Sequence, residues 1–156
     1  MDLIEKRLAE LKITLPAAPA PAANYVPFVL SRTELFISGQ LPMSEGAIAH
    51  IGHLGDTVDM ETGVVAARLC AINILAQAKA ALGSLLRIER CIKLGGFVAC
   101  TPSFNDHPVV INGASDLMVE VLGDAGRHAR FAVGVESLPF GAAVEIDALF
   151  HIHPAD

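Results

Sequence analysis

Apolar residues recur along this chain at two periods, and the elements change where the period changes. Ile4, Leu8 and Leu11 stand at i, i+4 and i+7, which predicts a short amphipathic helix over residues 2–13. Pro16-Ala17-Ala18-Pro19-Ala20-Pro21 follows, and proline's fixed φ and missing N–H make this an extended connector. Residues 1–21 therefore read as an N-terminal arm and residues 22–156 as the main domain. Val26 to Leu30 and Leu35 to Ser38 are apolar runs joined by Ser31-Arg32-Thr33-Glu34, a hairpin by length and polarity. Residues 43–58 carry Gly46, Gly52 and Gly55 with little periodicity and read as loop.

Asp59 is placed to cap a helix that runs along Val65, Leu69, Ile72, Leu75, Ala78 and Leu82, with Gly83 as its stop. Residues 87–100 form a long strand candidate, and Gly95-Gly96 inside it predicts a bulge or a close backbone approach. Pro108 suits a first helical turn, with Asp106 or His107 as cap. Val110, Ala114, Leu117 and Val121 keep helical spacing until Gly123. Arg130 to Val135 reads as strand and Leu138-Pro139-Phe140-Gly141 as turn. The last strand is the clearest: Val144, Ile146, Ala148, Phe150 and Ile152 alternate with Glu145, Asp147, Leu149, His151 and His153. The order β-β-α-β-α-β-β predicts an α+β domain, a sheet of four or five strands covered on one face by two helices.

Composition narrows the class. The 156 residues fit one domain, and at 53% hydrophobic and 18% charged the chain has few charges with which to solvate every face. That balance points to an oligomer. The net charge of −6 comes without a basic stripe, which argues against a nucleic-acid partner. The acidic start and the lack of an uninterrupted apolar stretch near 18 residues predict a cytoplasmic protein with no membrane partner. Cys70, Cys91 and Cys100 are odd in number and form no CxxC pair, so reduced and mostly buried thiols are expected.

Candidate chemistry is sparse. His50-Ile51-Gly52-His53 spells a tetrapeptide of class I aminoacyl-tRNA synthetases, but chain size and the Gly-rich context exclude that reading. His151 and His153 share one side of a strand and have no evident third metal ligand. Hydrolase-elbow, P-loop, dinucleotide and zincin motifs are absent, and Ser115 falls within a helix, where it reads as structural. Arg130 opens an otherwise apolar strand, where a guanidinium is either a solvated charge or a bidentate clamp for a carboxylate. Taken alone, the solvated reading is favoured for Arg130, and for Glu145 on the polar side of the last strand.

Ala129-Arg130, Val133 and Val135, then Leu138-Pro139, then Val144-Glu145-Ile146-Asp147-Ala148 resemble the C-terminal signature of the RidA/YjgF reactive-intermediate deaminase family. Ile37-Ser38-Gly39-Gln40-Leu41-Pro42 is similar to that family's SGQ-P segment, and Tyr25 stands in the place of its N-terminal tyrosine. Ala66-Ala67-Arg68, Asn73, Phe97-Val98, Phe104 and Asn112 follow in the family's order. The resemblance implies a chorismate-mutase-like fold assembled as a homotrimer, with small-molecule sites in clefts between subunits and neither metal nor organic cofactor.

It also implies hydrolysis of reactive enamines and imines, such as 2-iminobutanoate and 2-iminopropanoate, to 2-keto acids and ammonia. On that scheme Arg130 grips the substrate carboxylate, and hydrogen bonds to charged groups contribute roughly 1.5–3 kcal/mol each. Glu145 holds and deprotonates the attacking water, while Tyr25 and Ser38 line the pocket. Phe131 and Ala132 depart from many relatives, which carry a small polar residue and a cysteine there, so the pocket wall is bulkier and drier. Two other readings remain open on the same residues. One is a trimer that binds a small carboxylate without hydrolysing it, and the other is a pathway-specific hydrolase.

Overall fold

Asp2 and Glu5 begin the chain's first helix by capping each other. Each carboxylate accepts the other's backbone N–H, at 2.8 and 2.9 Å, which satisfies two donors that a helix start leaves free. The computed structural model that carries this description covers residues 1–18 and 23–155. Helix α1 spans Leu3–Glu10 and stops short of the expected residue 13. Lys12 turns to φ 57° there, and the Ile13 N–H bonds back to Leu8 at 2.8 Å. Ile4 and Leu8 are buried against the main core, and Arg7 Nη1 donates to the Val121 carbonyl at 3.1 Å, so the arm's helix lies against the rest of the chain. Of the Pro/Ala connector, Pro19, Ala20 and Pro21 fall outside the described residues.

Strands β1 (Phe28–Ser31) and β2 (Glu34–Gln40) form the expected hairpin, with Arg32 at φ 56° in its turn. The segment read as loop holds a further small hairpin, β3 (Met43–Ser44) and β4 (Ala47–Ile48). Glu45 and Gly46 both take positive φ, 51° and 80°, the turn such a hairpin demands. Strands of two residues leave no period to read, which is why the sequence hid them. Helix α2 (Met60–Leu82) runs between the predicted cap and stop, with Asp59 accepting the Thr62 N–H at 2.8 Å and Gly83 at φ 76°. By length and composition alone α2 would suffice to cross a membrane. Its apolarity has a cause within the fold, since Ala66, Ala67, Cys70, Ala71, Ile74, Leu75 and Ala78 are wholly buried.

Strand β5 (Ile88–Ala99), helix α3 (His107–Leu122), strand β6 (Ala129–Val135) and strand β7 (Val144–Ile152) complete the fold. The sheet order is β1-β2-β7-β5-β6, with β5 and β6 parallel and every other pair antiparallel. Helices α2 and α3 cover one face, as expected. The glycine pair in β5 marks a close approach: Ile111 of α3 sits over Gly96, while Phe131 and Asp147 crowd Gly95 on the other face. The register shifts of β5 lie elsewhere, before Arg90 and before Lys93. Gly113 brings α3 against the Val64 carbonyl of α2, where any Cβ would collide.

Asn73 ties the layers together. Its buried Nδ2 donates to the Leu41 and Met43 carbonyls, each at 3.1 Å, and so holds the corner between β2 and β3 onto α2. Asn73→Ala strands both carbonyls and should lower unfolding stability by about 2–4 kcal/mol, read as a shift of the urea midpoint. Loss below 1 kcal/mol would mean that the corner is held by other contacts.

Candidate functional site

The corner held by Asn73 forms one wall of a cavity of about 540 Å³. Leu41, Met43, Ile48 and Ile51 line it together with Tyr25, Pro27, Pro139 and Phe140. Its polar side chains are few: Tyr25, Gln40 and Glu145. Gln40 is committed, its Nε2 donating to the Ser38 carbonyl at 2.9 Å. Ser38 is not among the lining residues. Its hydroxyl donates to the Val26 carbonyl at 2.7 Å and so fixes the segment that carries Tyr25. The sequence reading gave Ser38 to the pocket, whereas the structure gives its hydroxyl to the backbone behind the pocket.

Glu145 reaches the cavity because β7 alternates. Val144 and Ile146 are buried beneath the helices, so the residue between them faces the other side of the sheet. A bulge-like register shift between Ile37 and Gln40 brings Gly39 over the Glu145 carboxyl, at a spot where a Cβ would meet Oε1. Burial in these apolar surroundings pushes the Glu145 pKa up, and the neighbouring Asp147 carboxylate pushes it further in the same direction. A carboxyl in a cleft whose proton affinity is raised by desolvation is suited to exchange protons with a bound molecule.

Arg130 lies elsewhere. It points to the helix-covered face, where Nη1 donates to Ser115 Oγ at 3.0 Å and Nη2 to the Pro108 carbonyl at 3.1 Å. Phe131 points the opposite way, edge-on to Phe97 with centroids 5.3 Å apart and Lys93 Nζ 5.3 Å from its ring centre. Ala132 packs on the core beside Gly96. Arg130 and Glu145 are thus on opposite faces of the sheet, two strands apart, and one chain does not bring them together.

The sequence missed Leu41, Met43, Ile48, Ile51 and Phe140 as lining residues. The readable signal was Glu45-Gly46, a turn dipeptide that can fold an apolar pair back onto the SGQ segment. His151 Nε2 and His153 Nδ1 both approach Glu89 Oε2, at 3.2 and 3.6 Å. Among the described residues no group of three or more His, Cys, Asp or Glu is arranged to hold a metal. Burial pushes the Cys91 thiol to about 12 and Cys70 well up, so neither is a nucleophile at neutral pH.

Residues 5–150 match the model of the family described as "YjgF/chorismate mutase-like, putative endoribonuclease". The chain belongs to the YjgF family. A Trypanosoma cruzi protein named TCP17 is 49% identical over 151 residues, 96% of this chain and 94% of that protein. The crystal structure of Atu1372 from Agrobacterium tumefaciens, a protein of unknown function, superposes with a TM-score of 0.91 at 58% identity, covering 96% of this chain and 92% of that one. Escherichia coli TdcF with bound serine gives a TM-score of 0.64 at 26% identity, covering 88% and 94%. The YjgF match and these neighbours establish a YjgF/chorismate-mutase-like α+β fold.

The Glu145 carboxyl is harder to ionise in this YjgF fold than in the unfolded chain. Its contribution to stability is therefore full at low pH and is lost as pH rises through the folded value. A carbon-13 NMR titration of the Glu145 carboxyl should give a midpoint above the ordinary glutamate range, and Asp147→Asn should lower it. A midpoint unmoved by Asp147→Asn would leave burial as the whole cause.

Proposed function

We propose that the protein hydrolyses 2-imino acids, and the enamines in equilibrium with them, to 2-keto acids and ammonia in clefts between copies of a homotrimer. The observation that carries this reading is Glu145, a carboxyl of raised pKa in an apolar cavity beside Tyr25. The water oxygen attacks the imine carbon while Glu145 takes one of its protons. Glu145 hands that proton to the imine nitrogen. It then takes the hydroxyl proton of the resulting carbinolamine and passes it to the nitrogen as the carbon–nitrogen bond breaks, so that ammonia leaves and a keto group remains. An imine carbon is already electrophilic, so the step needs no organic cofactor. Arg130 grips the substrate carboxylate with the N–H groups that Ser115 and Pro108 leave free.

The geometry of the two groups supports assembly. The sheet face that carries Glu145 also exposes Val29, Phe36, Phe131 and Val133, apolar side chains that no helix covers. Further copies of this chain packed on that face would bury them and let Arg130 of one subunit approach Glu145 of another. TdcF, a related fold, holds serine, a small carboxylate-bearing molecule with nitrogen on its second carbon. The endoribonuclease label of the family finds little support, because phosphate-backbone binding needs lysine and arginine clusters and the chain carries a net −6. The mainly apolar cavity wall favours imines with apolar side chains, such as those from leucine or methionine.

The test generates imines with an amino-acid oxidase and traps survivors with semicarbazide. Wild type should suppress trapping, and Arg130→Ala and Glu145→Gln should each lose at least tenfold in kcat/KM. A protein that leaves trapping unchanged but binds a 2-keto acid through Arg130 would be a carboxylate-binding trimer without hydrolysis. Light scattering should give three times the chain mass. Gly39→Ala should displace the flexible end of Glu145, lowering turnover at least tenfold while stability changes by under about 1 kcal/mol.

A further inference from the structure

Three polar groups outside the cavity are joined end to end between α3 and the start of β6. His128 Nδ1 lies 2.6 Å from the Gly126 carbonyl oxygen, and His128 Nε2 lies 2.8 Å from Ser115 Oγ. The same Oγ lies 3.0 Å from Arg130 Nη1. A carbonyl only accepts, so Nδ1 carries a proton. In the neutral ring Nε2 is then the acceptor, and it takes the proton of the Ser115 hydroxyl. The hydroxyl oxygen is left with lone pairs facing Arg130, whose guanidinium can only donate. Every bond in the chain is therefore directed, and the direction starts at a fixed backbone carbonyl.

We propose that Ser115 and His128 are positioning residues that hold the Arg130 guanidinium in its carboxylate-binding pose. This rests on the reading of Arg130 given under the proposed function. Ser115 Oγ and the Pro108 carbonyl take two of the five guanidinium N–H bonds, which leaves three without a partner among the described residues. Both partners belong to α3, whose body is buried on Val110, Ile111, Ala114 and Leu117, so the anchor points are rigid. An arginine on an edge strand would otherwise sample many rotamers and lose that freedom on binding. Here the loss is taken in folding, and the free N–H groups meet the ligand already oriented. Neither Ser115 nor His128 touches the substrate.

The test compares wild type, Ser115→Ala, His128→Phe and Ser115→Thr in the imine-trapping assay, with binding of 2-oxobutanoate measured alongside by calorimetry. Ser115→Ala and His128→Phe should each raise KM and Kd roughly tenfold, the scale of one side chain's lost order, and leave kcat within about twofold. Ser115→Thr, which keeps the hydroxyl, should restore both constants. In an Arg130→Ala background Ser115→Ala should change neither constant further, because the two groups act in series. Equal effects with and without Arg130, or loss of kcat in step with KM, would overturn the proposal. A wild type that hydrolyses or binds while the variants match it would defeat this inference alone. A wild type that does neither would defeat the reading of the site, and the inference with it.

Discussion

Strand β7 commits both of its faces, and the rest of the molecule is arranged around that commitment. It is hydrogen-bonded on both sides, to β2 and to β5, so its register cannot slip without breaking two ladders. Val144, Ile146, Ala148, Phe150 and Ile152 lie under α2 and α3 and form the middle of the core. The intervening residues must then face the uncovered side, and Glu145 and Asp147 are among them. A carboxyl at 145 is thus held by burial of its neighbours, with no hydrogen bond to the carboxyl itself among the described residues. A slip of one residue would send both acids into the core and five apolar side chains into solvent.

Small residues let the layers approach closely enough for this to matter. Gly96 admits Ile111, Gly113 admits the Val64 carbonyl, and Gly126 lies against the Met118 carbonyl. The alanines of α2 serve the same end, since a helix buried against sheet and against α3 has little room for large side chains. The consequence for the site is rigidity behind each functional group. Gly39 opens the space that the Glu145 carboxyl fills, and Asn73 keeps the cavity wall on the helix.

The electrostatics divide the same way as the faces. On the open side two carboxylates two residues apart, one partly desolvated, raise the affinity of Glu145 for a proton. On the covered side the Arg130 guanidinium is bonded to a hydroxyl and a carbonyl and, among the described residues, pairs with no acid. Glu145 and Arg130 therefore stand on opposite faces of the sheet, and a single chain does not pair them. The open side also leaves Val29, Phe36, Phe131 and Val133 in contact with water, apolar surface whose burial would be favourable.

Much of this was legible in the residues. Helix α2 ran between the cap and stop that Asp59 and Gly83 announce, and β7 had the bounds its alternation gave, because cap chemistry and strand period are local. The family signature around Arg130 and Glu145 was legible for the same reason, as short segments in order. The tertiary structure decided what locality cannot reach. Ser115, His128 and Arg130 are separated by up to 15 residues and become one hydrogen-bonded chain only when the crossover from β5 through α3 to β6 closes. The cavity wall came from two-residue strands that have no period, and Ser38 proved to bond backbone because its neighbour Val26 offered a carbonyl at the right place. Sequence period fixes which side of an element a residue occupies, whereas what stands on that side depends on packing between distant segments.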